Sequence, residues 1–283
     1  MGPSFLALNG EKTDFDNASY VVIPVPYDGT STWIKGADRG PDAIIRASAH
    51  LELYDMETER ECYTAGIHTA PVIRVEGGPE CWTAAVADAA GCVFDAGKVP
   101  IVLGGEHSVS IGSALAAASR FQTLTVLQLD AHADLRESLE GSRYNHGCVM
   151  ARIGEQVPII QTGIRSMSSE ELPRFQPNRA VTAEEVSSGK KWINKICSLL
   201  TEDTYITIDL DVFDPSVIPS TGTPEPGGLN WYQVTGLLRE VCRCSRVIGF
   251  DVVELCPGQD HASNFTAAKL IYTLISYMEE NRT

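Results

Sequence analysis

Positive charge is scarce in this 283-residue chain: 22 lysines and arginines face 37 aspartates and glutamates, a formal net charge of −15. A surface that binds polyanions needs clustered cations to displace counterions from phosphate, so nucleic acid and anionic membrane are not expected partners. Nor is there an uninterrupted run of about 18 apolar residues, the length a membrane span requires. The opening Met1-Gly2-Pro3-Ser4 lacks the basic and apolar pattern of a secretory signal, and the expected location is the cytoplasm. Cys-x-x-Cys pairs are missing too. The eight cysteines (Cys62, Cys81, Cys92, Cys148, Cys197, Cys242, Cys244, Cys256) are scattered, and read as reduced, mostly buried thiols rather than a disulfide framework or a zinc-thiolate site. No low-complexity linker, like-charge block or internal repeat divides the chain, so a single domain over 1–283 is expected.

What is present is an alternation of strand-like and helix-like segments. Apolar, β-branched runs at Tyr20 to Pro24, Val99 to Leu103, Leu124 to Leu129, Val157 to Thr162, Thr204 to Ile208 and Arg246 to Val253 read as buried strands. Between them, Trp82, Val86, Ala89 and Val93 recur at helical spacing. Ala267, Leu270, Ile271, Leu274, Ile275 and Met278 form a second stripe. Gly40-Pro41 starts a helix through Leu51. The predicted fold is α/β, a parallel sheet with helices on both faces. In such sheets the ligand site lies beyond the carboxyl ends of the strands.

Three of those ends are dense in His and Asp: Gly104-Gly105-Glu106-His107-Ser108, Asp130-Ala131-His132-Ala133-Asp134 and Asp209-Leu210-Asp211. Alternate residues of an extended segment share a face, so the acids and imidazoles of each motif can converge. Each motif alone is as readily a capped strand end. Crowded together, they would repel unless cations held them. Four carboxylates (Asp130, Asp134, Asp209, Asp211) and two imidazoles (His107, His132), with no thiolate, suit a hard cation such as Mn²⁺ better than structural zinc. Six side chains suit two ions bridged by shared carboxylates, an arrangement that holds an activated water between metals roughly 3.5 to 4 Å apart.

In this order and at these spacings, with Asp214-Pro215 following Asp211, the three motifs resemble the signatures of the ureohydrolase family of arginases and agmatinases. Similarity continues from Tyr27-Asp28-Gly29-Thr30 and Arg39-Gly40-Pro41 through Gly222-Thr223-Pro224-Glu225-Pro226-Gly227-Gly228 to Asp251-Val252-Val253-Glu254. The resemblance implies a three-layer α/β/α sandwich and two Mn²⁺ per chain. It implies that His107, Asp130, Asp134 and Asp209 hold one ion and Asp130, His132, Asp209 and Asp211 the other. It further implies catalytic roles for Asp134, as the acid that steers the attacking hydroxide and protonates the departing amine, and for Glu254, pairing with the guanidinium. His146 corresponds to a proton shuttle or substrate contact. Glu106 is expected to support the site by hydrogen bonding. Trimers or hexamers of like chains are the assembly the resemblance implies.

Within the family, Arg136 stands where arginases carry an Asn that helps hold the substrate's α-carboxylate, and the stretches Glu140 to His146 and Pro224 to Gly228 are similar to agmatinases. The expected substrate is therefore agmatine, cleaved to putrescine and urea, and an acidic site mouth would favour such a dication. Arg136 must then turn away, onto Glu137 or Glu140. If it faces the pocket, a carboxylate-bearing substrate such as 4-guanidinobutyrate is the alternative. A catalytically silent metal-binding relative is the rival from another class, and a single-zinc deacetylase-like hydrolase ranks below both.

Overall fold

The computed structural model describes residues 3–189 and 191–282, so Met1 and Gly2 of the opening lie outside it. Among the described residues, eight strands form one sheet: β1 (Tyr20–Val25), β2 (Ile67–Thr69), β3 (Val99–Gly104), β4 (Leu124–Leu129), β5 (Ile159–Ile164), β6 (Ala180–Thr182), β7 (Asp203–Asp209) and β8 (Arg246–Val253). Their order is β2-β1-β3-β8-β7-β4-β5-β6, and every pairing is parallel. The six runs read as strands are all present; β5 begins two residues later than expected, and the three-residue edge strands β2 and β6 carry too short a pattern to be read.

Helices α1 (Gly40–Ser48), α2 (Pro79–Asp95), α3 (Ser110–Ala118), α4 (Val149–Ile153), α5 (Ala183–Ser187), α6 (Lys191–Leu199), α7 (Trp231–Cys244) and α8 (Ala262–Glu280) cover both faces. Alternation along the strands divides the core. Val22, Ile101, Leu127, Ile206 and Phe250 pack with Ile44 of α1, Leu237 of α7 and the apolar stripe of α8. Val21, Ile23 and Val102 pack with Val86 and Val93 of α2, and Leu124, Val126 and Tyr205 with Ile111 of α3 and Val149 of α4. This is the predicted sandwich. Local signals set the helix starts: Pro41 sits in the first turn of α1, and Asn230 with Gln233 closes a reciprocal capping box on α7. The first helix stops at Ser48, three residues short of the expected end.

Strands β3 and β4 are neighbours in sequence, yet β8 and β7 lie between them. The carboxyl ends of these four central strands therefore open side by side, and each leads into one of the motifs identified above.

Candidate metal centre

Gly105 shows why the first motif needs glycine. A Cβ there would stand 1.9 Å from the carbonyl oxygen of Tyr27, so the loop after β3 can lie against the loop after β1 only without a side chain. The contact is fastened by Gly105 N donating to Val25 O and Glu106 N donating to Tyr27 O. Glu106 then caps the next turn, its carboxylate accepting from Ser108 N at 2.9 Å and Ser108 Oγ at 2.6 Å, and burial lifts its pKa to about 7. Its carboxylate thus fixes the turn that carries His107.

That turn presents His107, 1% exposed, to the motifs after β4 and β7. Its Nδ1 faces three carboxylate oxygens: Asp134 Oδ2 at 3.0 Å, Asp130 Oδ2 at 3.2 Å and Asp209 Oδ2 at 3.4 Å. None of them meets it in hydrogen-bond geometry, so this buried nitrogen has no partner. A second group adjoins the first. His132 Nδ1 lies 2.9 Å from Asp211 Oδ2 and 3.7 Å from Asp130 Oδ1. His107, Asp130 and Asp134 form one cluster able to hold a metal ion, Asp130, His132 and Asp211 another, and Asp130 belongs to both.

Backbone geometry, rather than simple strand alternation, brings these acids together. Asp134 takes a left-handed φ of 53° and Glu254 one of 66°, a conformation costly for a residue with a Cβ. Asp211 sits in a tight turn whose N–H donates to Asp209 Oδ1 at 2.9 Å. Further donors hold the acids from behind: Gln128 Nε2 to Asp130 Oδ2 at 2.7 Å, His132 N to Asp130 Oδ1 at 2.6 Å, and Ala131 N to Asp211 Oδ1 at 3.1 Å. The Arg165 guanidinium donates to the carbonyls of Asp211 at 2.7 Å, Glu225 at 2.8 Å and Pro226 at 3.1 Å, tying the ligand turn to the loop beyond it.

The electrostatics register a demand for positive charge. Burial raises the pKa of Asp209 well above the carboxylate range, with Asp211 and Asp130 adding to the effect, and burial with the charge of Asp130 lifts Asp134 to about 7. Burial opposes protonation of His132, but Asp130 and Asp211 outweigh it and push the ring to about 12. His107 moves up likewise against its burial, under Asp130, Asp134 and Asp209. Protons here fill a role that divalent cations can fill, and a set of carboxylates with an unpartnered imidazole nitrogen beside them offers such an ion its ligands. The residues fit a two-metal centre.

Glu254 follows β8 and is 8% exposed; its Oε1 accepts from His107 N at 2.8 Å, and burial with the nearby Glu106 charge raises its pKa well above normal. His146 is half-buried, its N–H donating to Thr30 Oγ1 at 2.9 Å and its Nδ1 lying 3.2 Å from the same oxygen. Burial pushes its pKa down to about 4. Arg136 pairs with Glu170; Glu137 instead meets Arg143, Arg152 and Arg174. The expected turn toward Glu137 or Glu140 is thus corrected to Glu170, on the loop after β5. Of two buried residues beneath the cluster, Thr207 was not singled out in the sequence, and Asp251 entered only within the matched stretch ending at Glu254, with no role of its own.

A sequence model described as the arginase family matches residues 18–276. The chain is 36% identical over 293 residues to the N(1)-aminopropylagmatine ureohydrolase of Synechocystis sp., covering 99% of this chain and 96% of that one. It is 40% identical over 273 residues to the enzyme of the same name from Thermus thermophilus, covering 94% and 92%. The crystal structure of agmatine ureohydrolase of Thermoplasma volcanium superimposes with a TM-score of 0.90 at 30% identity, over 100% of this chain and 96% of that one.

Proposed function

The chain belongs to the arginase family, and from that membership we propose that it is a two-manganese hydrolase which releases urea from the guanidino group of agmatine, leaving putrescine. At the coarser level it is an enzyme, a ureohydrolase of the agmatinase type. The observation that carries the proposal is the paired cluster sharing Asp130, with the bare Nδ1 of His107 in one half of it.

His107, Asp130, Asp134 and Asp209 would hold one ion, and Asp130, His132, Asp209 and Asp211 the other. When bound, the pair supplies a water acidic enough to attack carbon at neutral pH. Glu254, beside His107 in the same buried basin, offers a carboxylate to a planar guanidinium, and the incoming cation would draw it into its ionised form. Asp134, deprotonated as a metal ligand, would take a proton from the nucleophile and return it to the leaving amine. His146, neutral above its lowered pKa, is placed by Thr30 as an acceptor for a proton or for a substrate N–H.

Arg136 supports an amine substrate, because Glu170 engages its charge and leaves it unsuited to a substrate carboxylate. The similarity to two N(1)-aminopropylagmatine ureohydrolases favours a second reading within the same chemistry, in which the amine carries an aminopropyl extension. Steady-state urea release from agmatine, N(1)-aminopropylagmatine, arginine and 4-guanidinobutyrate separates these readings. The two amines are expected to exceed the two acids in kcat/KM by at least about a hundredfold. A preference for either acid overturns the proposal.

A further inference from the structure

Behind His107, on the side away from the carboxylates, its Nε2 lies 2.9 Å from Thr207 Oγ1, and Thr207 Oγ1 lies 2.7 Å from Asp251 Oδ1. Asp251 is wholly buried and also receives the hydroxyls of Ser110 on Oδ1 at 2.9 Å and Tyr205 on Oδ2 at 2.9 Å. Three hydroxyl donors converging on one carboxyl are what an ionised, acceptor-only carboxylate takes. A threonine hydroxyl has a single proton. Once given to Asp251, it leaves the oxygen only as an acceptor, and the one available donor on the other side is Nε2–H of His107.

The geometry points to Thr207 and Asp251 as positioning residues that set the tautomer of His107: the proton is held on Nε2, so Nδ1 keeps its lone pair aimed among Asp130, Asp134 and Asp209. Two independent observations agree. The proton count of the relay assigns the single proton of the neutral ring to Nε2, and Nδ1 is the buried ring nitrogen without a partner. A carboxylate acting through a hydrogen-bonded donor also raises the basicity of the opposite nitrogen, which strengthens it as a ligand. Tyr205, whose hydroxyl lies 2.8 Å from Ser113 Oγ, anchors the far end of the relay against α3. The relay serves one ion selectively, since His132 takes no part in it.

The inference rests on the two-metal reading, and the test separates the two. Manganese binding to the full chain is measured by calorimetry after chelator treatment, for the wild type, Thr207→Val, Thr207→Ser, Asp251→Asn and the Thr207→Val/Asp251→Asn double variant. Valine keeps the shape and the strand preference of threonine, and thermal melts verify folding. Thr207→Val is expected to weaken one of two sites by roughly 10- to 100-fold and spare the other, with Thr207→Ser restoring it. The double variant should be no weaker than the worse single variant, because both act through one bond. In zinc-loaded wild-type protein, nitrogen-detected NMR should show a slowly exchanging proton on His107 Nε2 that is lost in Thr207→Val. Wild-type affinity in Thr207→Val, no recovery in Thr207→Ser, or a metal-loaded His107 protonated on Nδ1 overturns the inference. A wild-type chain that binds no manganese overturns the two-metal reading itself.

Discussion

Nδ1 of His107 and Oδ2 of Asp134, both buried, lie 3.0 Å apart beyond the carboxyl ends of β3 and β4, in contact but without hydrogen-bond geometry. Two groups left in this state have a cost of order 1–3 kcal/mol for the unsatisfied partner unless something else occupies the space between their lone pairs. The same relationship extends to Asp130 and Asp209. A divalent cation satisfies all four at once.

Asp130 is the residue common to both clusters, so its removal cannot be local. Asp130→Asn should reduce bound manganese from two ions per chain to one or fewer and lower urea release by at least about a hundredfold. Metal analysis of the purified variant checks it. Retention of two ions would mean the clusters do not share this ligand.

In the metal-free protein, stability should fall as pH rises. Asp134 gains its proton at about 7 when folded against 3.8 as the ordinary value, so its contribution is full below about pH 4 and is lost as pH passes through 7. His132, raised from 6.5 to about 12, adds a loss that begins above about pH 6.5. Both act in the same sense. Metal loading works in the opposite one, because ligands must be deprotonated to bind. Melting temperatures between pH 5 and 8 should therefore decline without metal, and the gain on adding Mn²⁺ should widen with pH.

Glu254 combines a left-handed backbone with a buried acid, features that serve recognition more readily than stability. Glu254→Gln keeps its shape and removes the charge. Given the 1.5–3 kcal/mol typical of a charged hydrogen bond, kcat/KM should drop by roughly 10- to 100-fold, with metal content unchanged. An unchanged kcat/KM would remove Glu254 from the substrate site.

Most of the frame was legible in the residues. The central strands are long, apolar and β-branched, and the His and Asp motifs at their ends mark a candidate metal site through residue type and spacing. Less legible was how the acids converge. Strand alternation was the stated reason, whereas Asp134 turns inward through a positive φ and Asp211 through a tight turn, and neither backbone state is written in Asp-x-His-x-Asp or Asp-x-Asp. Thr207 reads as an ordinary strand former. Asp251, despite its charge, reveals its role only when Ser110 and Tyr205 arrive from 141 and 46 residues away. The partner of Arg136 is likewise set by Glu170, 34 residues on, through a loop that pattern cannot place.

Cys148 and Cys256 flank the site in sequence, a position that invites a redox role. Burial instead raises their thiols to about 11 and about 12. Almost no thiolate is present at neutral pH, so brief iodoacetamide treatment should leave both unlabelled in the native, metal-loaded protein, and Cys148→Ser and Cys256→Ser should not change sensitivity to peroxide. Peptide mapping decides the first point; rapid alkylation of either would restore the redox reading.

The most direct test is a titration of chelator-treated protein with Mn²⁺, following urea release from agmatine and from its aminopropyl derivative while counting bound metal. The account predicts no urea without metal and a rise that levels off at two ions per chain. Full activity in the metal-free chain, saturation at a single ion, or no urea from either amine at any loading would contradict it.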